Sequence, residues 1–322
     1  MGKQENFEVI GPHPRIVRYG ELKPCHDAFI DTRTPGSNKK ENFTIIGPGV
    51  SENPRQYVHI TEPHGFNIGG ARQPSNCVNS QHSHDTAEAF YVHKGIWSFR
   101  TGEKGQDAEV TLEPGDFISI PTGVFRGFEN IGDDIGFLWG ILGGDDPGRV
   151  LWAPYVFDMA ANYGLVLMEN GNLIDTRKGE VVPEDQNPMP VTSKNQVGAL
   201  KKLSKDQLQN CCMKSNEGKK SYQNEGLTGR NLISSDTNLS WDHGFQVIHF
   251  QLEPDDFSDW NVYSGSEVIF VQSGELTVKL IDETWRLFSG DTATIPKGVV
   301  RQFLNSSDKK LEFIRVRGDI KV

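Results

Sequence analysis

No stretch of this 322-residue sequence approaches the ~20 consecutive apolar residues that a membrane-crossing helix requires, which excludes a helical membrane protein. Cysteine is scarce. Cys25, Cys77, Cys211 and Cys212 lack the paired spacing of a zinc site or a disulfide framework. Basic residues are outnumbered, 33 against 43 acidic, and the formal charge of -10 argues against nucleic acid or an anionic membrane as the main partner. The opening MGKQENFEVIGPHPRIVRYG has no basic-then-apolar pattern of a secretory signal, and Asn6 stands where a myristoylation signal wants Ser or Thr. These absences predict a reduced, cytoplasmic protein whose partner is a small molecule.

Glycine and proline are abundant, 34 and 17, and they punctuate short runs rich in Val, Ile, Phe and Thr. That texture predicts an all-β chain of many short strands. One clear helix is expected at PYVFDMAANYG, with Pro154 in its first turn and Gly164 at its stop. A shorter one is expected in LSKDQLQNCC, within a polar segment over 176–236.

A repeat organises the chain. Glu88 precedes Gly95 as Glu267 precedes Gly274, each pair seven positions apart. Further on, Gly115, Pro121, Gly123, Arg126 and Asn130 are matched by Gly290, Pro296, Gly298, Arg301 and Asn305 at identical spacing. Only the stretch between the two blocks changes length, from 20 positions to 16, the size of a hairpin difference. The chain therefore holds two copies of one β unit.

These residues resemble the two motifs of the cupin superfamily, and their duplication resembles a bicupin. His82, His84, Glu88 and Gly95 match the first motif, with Asn76 in place of its leading glycine. Gly115, Pro121, Gly123 and Asn130 match the second, but Arg126 stands where that motif has histidine. The resemblance covers roughly 60–145 and 240–320. It implies two double-stranded β-helix (jelly-roll) barrels, with an arm over 1–40, barrels over 41–150 and 236–322, and a helical and irregular linker over 151–235.

In the first copy, His82 and His84 lie two apart on a strand and so share a face, and Glu88 follows beyond a turn. Two imidazoles and a carboxylate suit a divalent transition metal, Fe(II) first, with Mn, Ni or Zn open. The second copy has Asn261 and Tyr263 in the histidine slots and is expected to hold no metal. Arg126 cannot ligate a metal, because guanidinium stays protonated. Two roles stay open for it: a catalytic clamp on a substrate carboxylate, or a partner for Glu88, a pairing that the second copy keeps in Arg301 and Glu267. His93 is expected to face away from the ligand side, and His59 and His64 to serve in loops or interfaces. Trp97, Phe99, Phe117, Phe128, Phe137 and Trp139 are expected in the core, a few of them lining an apolar pocket. The vicinal pair Cys211 and Cys212 is expected to do nothing catalytic.

The resemblance thus implies a metal-dependent dioxygenase acting on a small, anionic organic acid, aromatic acids included, with a look closest to the ring-cleaving cupin oxygenases. A metal-dependent isomerase, lyase or decarboxylase is the alternative, and a non-catalytic small-molecule-binding bicupin a third. Open sheet edges lead to the expectation of a homodimer.

Overall fold

The computed structural model describes residues 7–215 and 222–318. The first residues of the expected arm and six residues of the expected linker lie outside them. The chain divides into two compact units: one comprises 23–61 and 67–215, the other 1–22, 62–66 and 216–322.

The first unit packs a seven-stranded sheet against a five-stranded one. The larger sheet runs in the order Cys212–Met213, Phe117–Ile120, Glu88–Lys94, Gly136–Gly143, Phe66–Gln73, Glu41–Ile46, Val58–Ile60. The smaller runs Val150–Trp152, Cys77–His84, Arg126–Asn130, Trp97–Thr101, Ala108–Leu112. The six aromatic residues expected in the core are all buried. The second unit repeats the pattern. Its larger sheet runs Tyr222–Asn224, Leu227–Ile233, Phe245–Leu252, Leu311–Gly318, Glu267–Ser273, Thr292–Ile295, Ile16–Val17. Its smaller sheet runs Phe7–Val9, Glu283–Phe288, Glu275–Lys279, Val300–Leu304, Asn261–Val262. Each unit is a jelly roll: two facing sheets, mostly antiparallel, without closure into a single barrel.

The repeated motif residues explain why both copies fold alike. Gly95 and Gly274 adopt φ of 86° and 83° at the turn after the strand that begins with the motif glutamate. A Cβ at either would meet backbone within 3 Å, Gly136 Cα in one case and Lys310 O in the other, so only glycine fits. Asn130 Nδ2 donates to the Gln73 and Asp134 carbonyls, and Asn305 Nδ2 does the same to those of Leu252 and Lys309. These amides close the following turn by satisfying carbonyls that the sheet leaves free. Asn76 has φ 59°, a left-handed conformation that asparagine tolerates better than most side chains, which is how it replaces the motif glycine.

The domain boundaries differ from those expected. Residues 7–22 do not form a separate arm with 23–40. Phe7–Val9 pairs in parallel with Glu283–Trp285, and Ile16–Val17 pairs with Thr292–Ala293, so both strands complete the second unit. Arg18 secures them through Asp291, donating from Nη1 at 2.6 Å. Most of the expected linker also belongs to a unit. The helix Pro154–Asn162 starts with Pro154 as expected and buries Val156 and Ala160 against Ile30, Phe125 and Trp152. The helix Lys205–Gln209 falls where the shorter one is expected, with a capping box between Ser204 and Gln207. A third helix, Lys194–Ala199, carries the same box between Ser193 and Gln196. Beyond the described gap, Leu227–Ile233 is a full strand of the second unit, earlier than the boundary at 236. No helix among the described residues is long and apolar enough to cross a membrane.

Candidate metal centre

His82 and His84 end the strand Cys77–His84, and Glu88 begins the strand Glu88–Lys94 after a three-residue turn. Alternation along the first strand sends both imidazoles to one side, with ring centroids 5.0 Å apart and perpendicular. The turn then returns the chain so that Glu88 faces them. One nitrogen of each histidine and one oxygen of Glu88 lie within 4.8 Å of one another, and all three residues are buried.

The hydrogen bonds sort the donor atoms. His82 Nδ1 lies 2.7 Å from the Ser80 carbonyl, which can only accept, so Nδ1 carries the proton and Nε2 keeps its lone pair. Burial, followed by the nearby His84, pushes His82 down to about 3, so it is neutral at physiological pH and free to ligate. His84 Nε2 approaches Glu88 Oε1 at 3.3 Å, and its Nδ1 is buried without a hydrogen-bond partner among the described residues. Burial would raise Glu88, but His84 and Arg126 outweigh it and hold the carboxyl well below its usual range.

Arg126 sits opposite His82 in the register of the sheet. Its Nε donates to Glu88 Oε2 at 3.1 Å and its Nη1 to the Val124 carbonyl at 3.2 Å. The two oxygens of Glu88 are thereby divided, Oε2 towards the guanidinium and Oε1 towards the histidines. The residues present fit a divalent cation: two imidazoles, that of His82 neutral, and an ionised carboxylate with one oxygen turned to them. The guanidinium already compensates the single negative charge, so cation affinity is lower here than in a site where Glu88 stands alone.

The cluster opens on a cavity of about 80 Å³. Its walls are mostly apolar, with Phe29, Phe90, Phe128 and Trp152 among them, and Arg126 does not line it. Of the aromatics expected in a pocket, Phe128 is there. Trp152 packs on His82 at 5.3 Å between ring centroids. The segments 25–56 and 150–152 supply much of the wall, and they lie outside the strongest repeat motifs, so the repeat carries no signal for them. The other histidines are elsewhere. His59 Nδ1 meets the Thr44 carbonyl at 2.9 Å, His64 bonds to Thr294 in the second unit, and His93 is buried against Phe137. Cys211 and Cys212 are buried, and burial pushes the Cys211 thiol up to about 11, far from a reactive thiolate.

In the second unit the corresponding place holds an ion network. Arg301 donates Nε to Glu267 Oε1 at 2.8 Å, and Arg317 donates Nε to Glu267 Oε2 at 2.6 Å. Glu225 accepts from Arg301, Arg315 and Arg317 at 2.8 to 3.1 Å. Tyr263, in a histidine slot, donates to the Gly318 carbonyl at 2.7 Å and carries Arg317 over its ring. Three guanidiniums fill the space that a cation would need.

Behind the first site, Glu52 accepts from Trp152 Nε1 and from the Ile30 amide, each at 2.6 Å. Burial nevertheless pushes its carboxyl up to about 8, from an ordinary 4.5. The fold therefore holds the proton more tightly than the unfolded chain does. Stability from this group is full below about pH 4.5 and is lost as pH rises through about 8. Glu52→Gln, which stays neutral, should gain several degrees of unfolding midpoint over the native chain between about pH 5 and about pH 9. A difference that stays flat across that range would show that Glu52 is ionised in the fold throughout.

Two duplicated jelly rolls, one with a histidine-rich interior, define the class, and comparison with known proteins agrees. The cupin domain model matches residues 71–139 and 248–317, so the chain carries two cupin domains and is a bicupin. The fold is similar to that of oxalate decarboxylase from Bacillus subtilis, with a TM-score of 0.59 at 14% identity over 95% of this chain and 76% of that one. It is also similar to AerE from Microcystis aeruginosa, with a TM-score of 0.53 at 12% identity over 96% of this chain and all of that one. At such identities the likeness is one of fold. No curated protein matches the chain in sequence.

Proposed function

We propose that the first cupin unit is the centre of a metal-dependent oxidoreductase of the non-haem iron dioxygenase type, acting on a small organic molecule. The observation that carries this reading is a two-histidine, one-carboxylate cluster opening on a mostly apolar cavity. Bound Fe(II) would supply open coordination positions and redox chemistry for dioxygen and substrate. The protein supplies the rest. The Ser80 carbonyl orients His82 and fixes its tautomer, as partners of metal-bound histidines commonly do. Arg126 holds Glu88 in place and acts as a positioning residue, a reading supported by its contact with Glu88 and by its absence from the cavity lining. Phe29, Phe90 and Trp152 exclude water from the reacting space.

The test is anaerobic loading with Fe(II), metal analysis, and oxygen uptake over a panel of small organic molecules. Loaded protein that retains iron but consumes no oxygen with any of them would refute the dioxygenase reading. The likeness in fold to oxalate decarboxylase favours a second reading, lyase chemistry at the same cluster with the metal polarising a carbonyl. Carbon dioxide released from oxalate, without stoichiometric oxygen uptake, would select it.

A homodimer is also expected. The edge strand Asn261–Val262 leaves Val262 and the adjacent Trp260 about half exposed, the kind of apolar edge that pairing covers. Light scattering should give twice 35.9 kDa, and Trp260→Glu should lower it towards the monomer. A native mass equal to one chain would rule the dimer out.

A further inference from the structure

The polar groups that line the first-unit cavity are nearly all engaged with other protein atoms. Asn79 Oδ1 accepts from Lys40 Nζ at 2.9 Å, Ser51 donates to the Ala28 carbonyl at 3.3 Å, and Thr44 is bonded to Gln56. Cys25 Sγ reaches Asp27 at 3.5 Å. Apart from His84 Nδ1, within the metal cluster, Asn42 differs: it lines the same cavity, and its Nδ2 is buried with no hydrogen-bond partner among the described residues. A buried amide left without a partner costs about 1–3 kcal/mol, a cost that a ligand oxygen would remove.

Charge narrows the ligand further. No lysine or arginine lines the cavity, and apart from the histidines the one ionisable group with a carboxylate or amine in its wall is Glu88, an anion. A carboxylate lying away from the histidine cluster would meet no lysine or arginine in that wall, and burying it unpaired is costly. The volume of about 80 Å³ is also small, roughly half the ~150 Å³ of an engineered cavity that holds benzene.

We infer that the cavity recognises a short, neutral, largely apolar molecule through one carbonyl or hydroxyl oxygen bound to Asn42 Nδ2, and that it discriminates against dicarboxylates such as oxalate. The inference rests on the proposed catalytic role of the first unit for its meaning as substrate recognition, but binding alone tests it. It departs from the expectation of an anionic substrate held by Arg126, which does not line the cavity.

Metal-free protein separates the two questions, because ligand binding to the cavity can then be read whatever the metal chemistry proves to be. Butanone and propionate have equal numbers of heavy atoms and differ in charge. Ligand-observed nuclear magnetic resonance should show butanone binding at least tenfold more tightly than propionate or oxalate. Asn42→Ala should weaken butanone by about five- to tenfold, the usual scale of one lost hydrogen bond, and leave propionate unchanged. Asn42→Asp, of nearly identical shape, repeats the test if the alanine variant folds poorly. Propionate or oxalate binding as tightly as butanone would overturn the inference. So would butanone binding that is insensitive to both substitutions, or no binding by any of the three. A protein that passes this test and still retains no metal would fail the proposed function while keeping the inference.

Discussion

His84→Ala should bring metal content, measured by mass spectrometry after anaerobic Fe(II) repletion, from about one equivalent per chain to less than about a tenth. Three protein ligands share the binding energy, so removing one costs several kcal/mol, or some thousandfold in affinity per ~4 kcal/mol. His82→Ala should do the same, since the Ser80 carbonyl leaves His82 one nitrogen with a lone pair. Both residues are buried, so both alanine variants lose packing, and His84→Ala also leaves Glu88 Oε1 without its partner, at about 1–3 kcal/mol of stability. Circular dichroism should still report the native β-fold. Native protein that takes up less than about a tenth of an equivalent of any transition metal would refute the metal centre outright.

The second large effect concerns Arg126. Arg126→Ala strands a buried carboxylate, and breaking a buried pair in this way costs roughly 3–5 kcal/mol in metal-free protein. The direction for metal is opposite. Glu88 would then face the histidines with its charge uncompensated, so affinity for a divalent cation should rise and the metal should restore the lost stability. Arg301→Ala is the internal control. Glu267 keeps Arg317 at 2.6 Å and has Arg315 within 3.8 Å, so the loss should be smaller, and added metal should restore none of it. Thermal unfolding with and without Fe(II) or Zn(II) reads both variants. Equal destabilisation of the two, with no response to metal, would make both arginines structural and remove any part for Arg126 in the first site.

The fold and the cluster were legible for the same reason: both are written in local spacing. Glu88 and Gly95, with their counterparts Glu267 and Gly274, mark a strand and the turn that needs positive φ. His82 and His84 share a face by the pleat alone. What lay outside local spacing stayed hidden. That Arg126 reaches Glu88 rather than the cavity depends on the register that sets it opposite His82, which is a relation between strands. That Asn42 and Trp152 complete the cavity depends on segments beyond the repeat, one of them on a strand pairing Trp152 with His82. The polar composition of 176–236 masked real structure, because short helices capped by Ser193 and Ser204 expose most of their side chains, and Leu227–Ile233 follows a stretch rich in Lys and Asn.

The strands near the N-terminus have a consequence for how the chain comes to be folded. Phe7–Val9 and Ile16–Val17 find their partners at Glu283–Trp285 and Thr292–Ala293, some 275 residues later. During synthesis the first jelly roll can assemble as soon as its own strands emerge, whereas these two earlier segments wait for partners that follow it in the chain. Once they dock, each covers the outer strand of a different sheet, Glu283–Phe288 in one and Thr292–Ile295 in the other. A chain lacking its first 22 residues would release two bare edges at once, and bare edges are templates for pairing between molecules. These two strands are therefore made before the first jelly roll and used only after it, an interval in which their own edges and those of their later partners are uncovered.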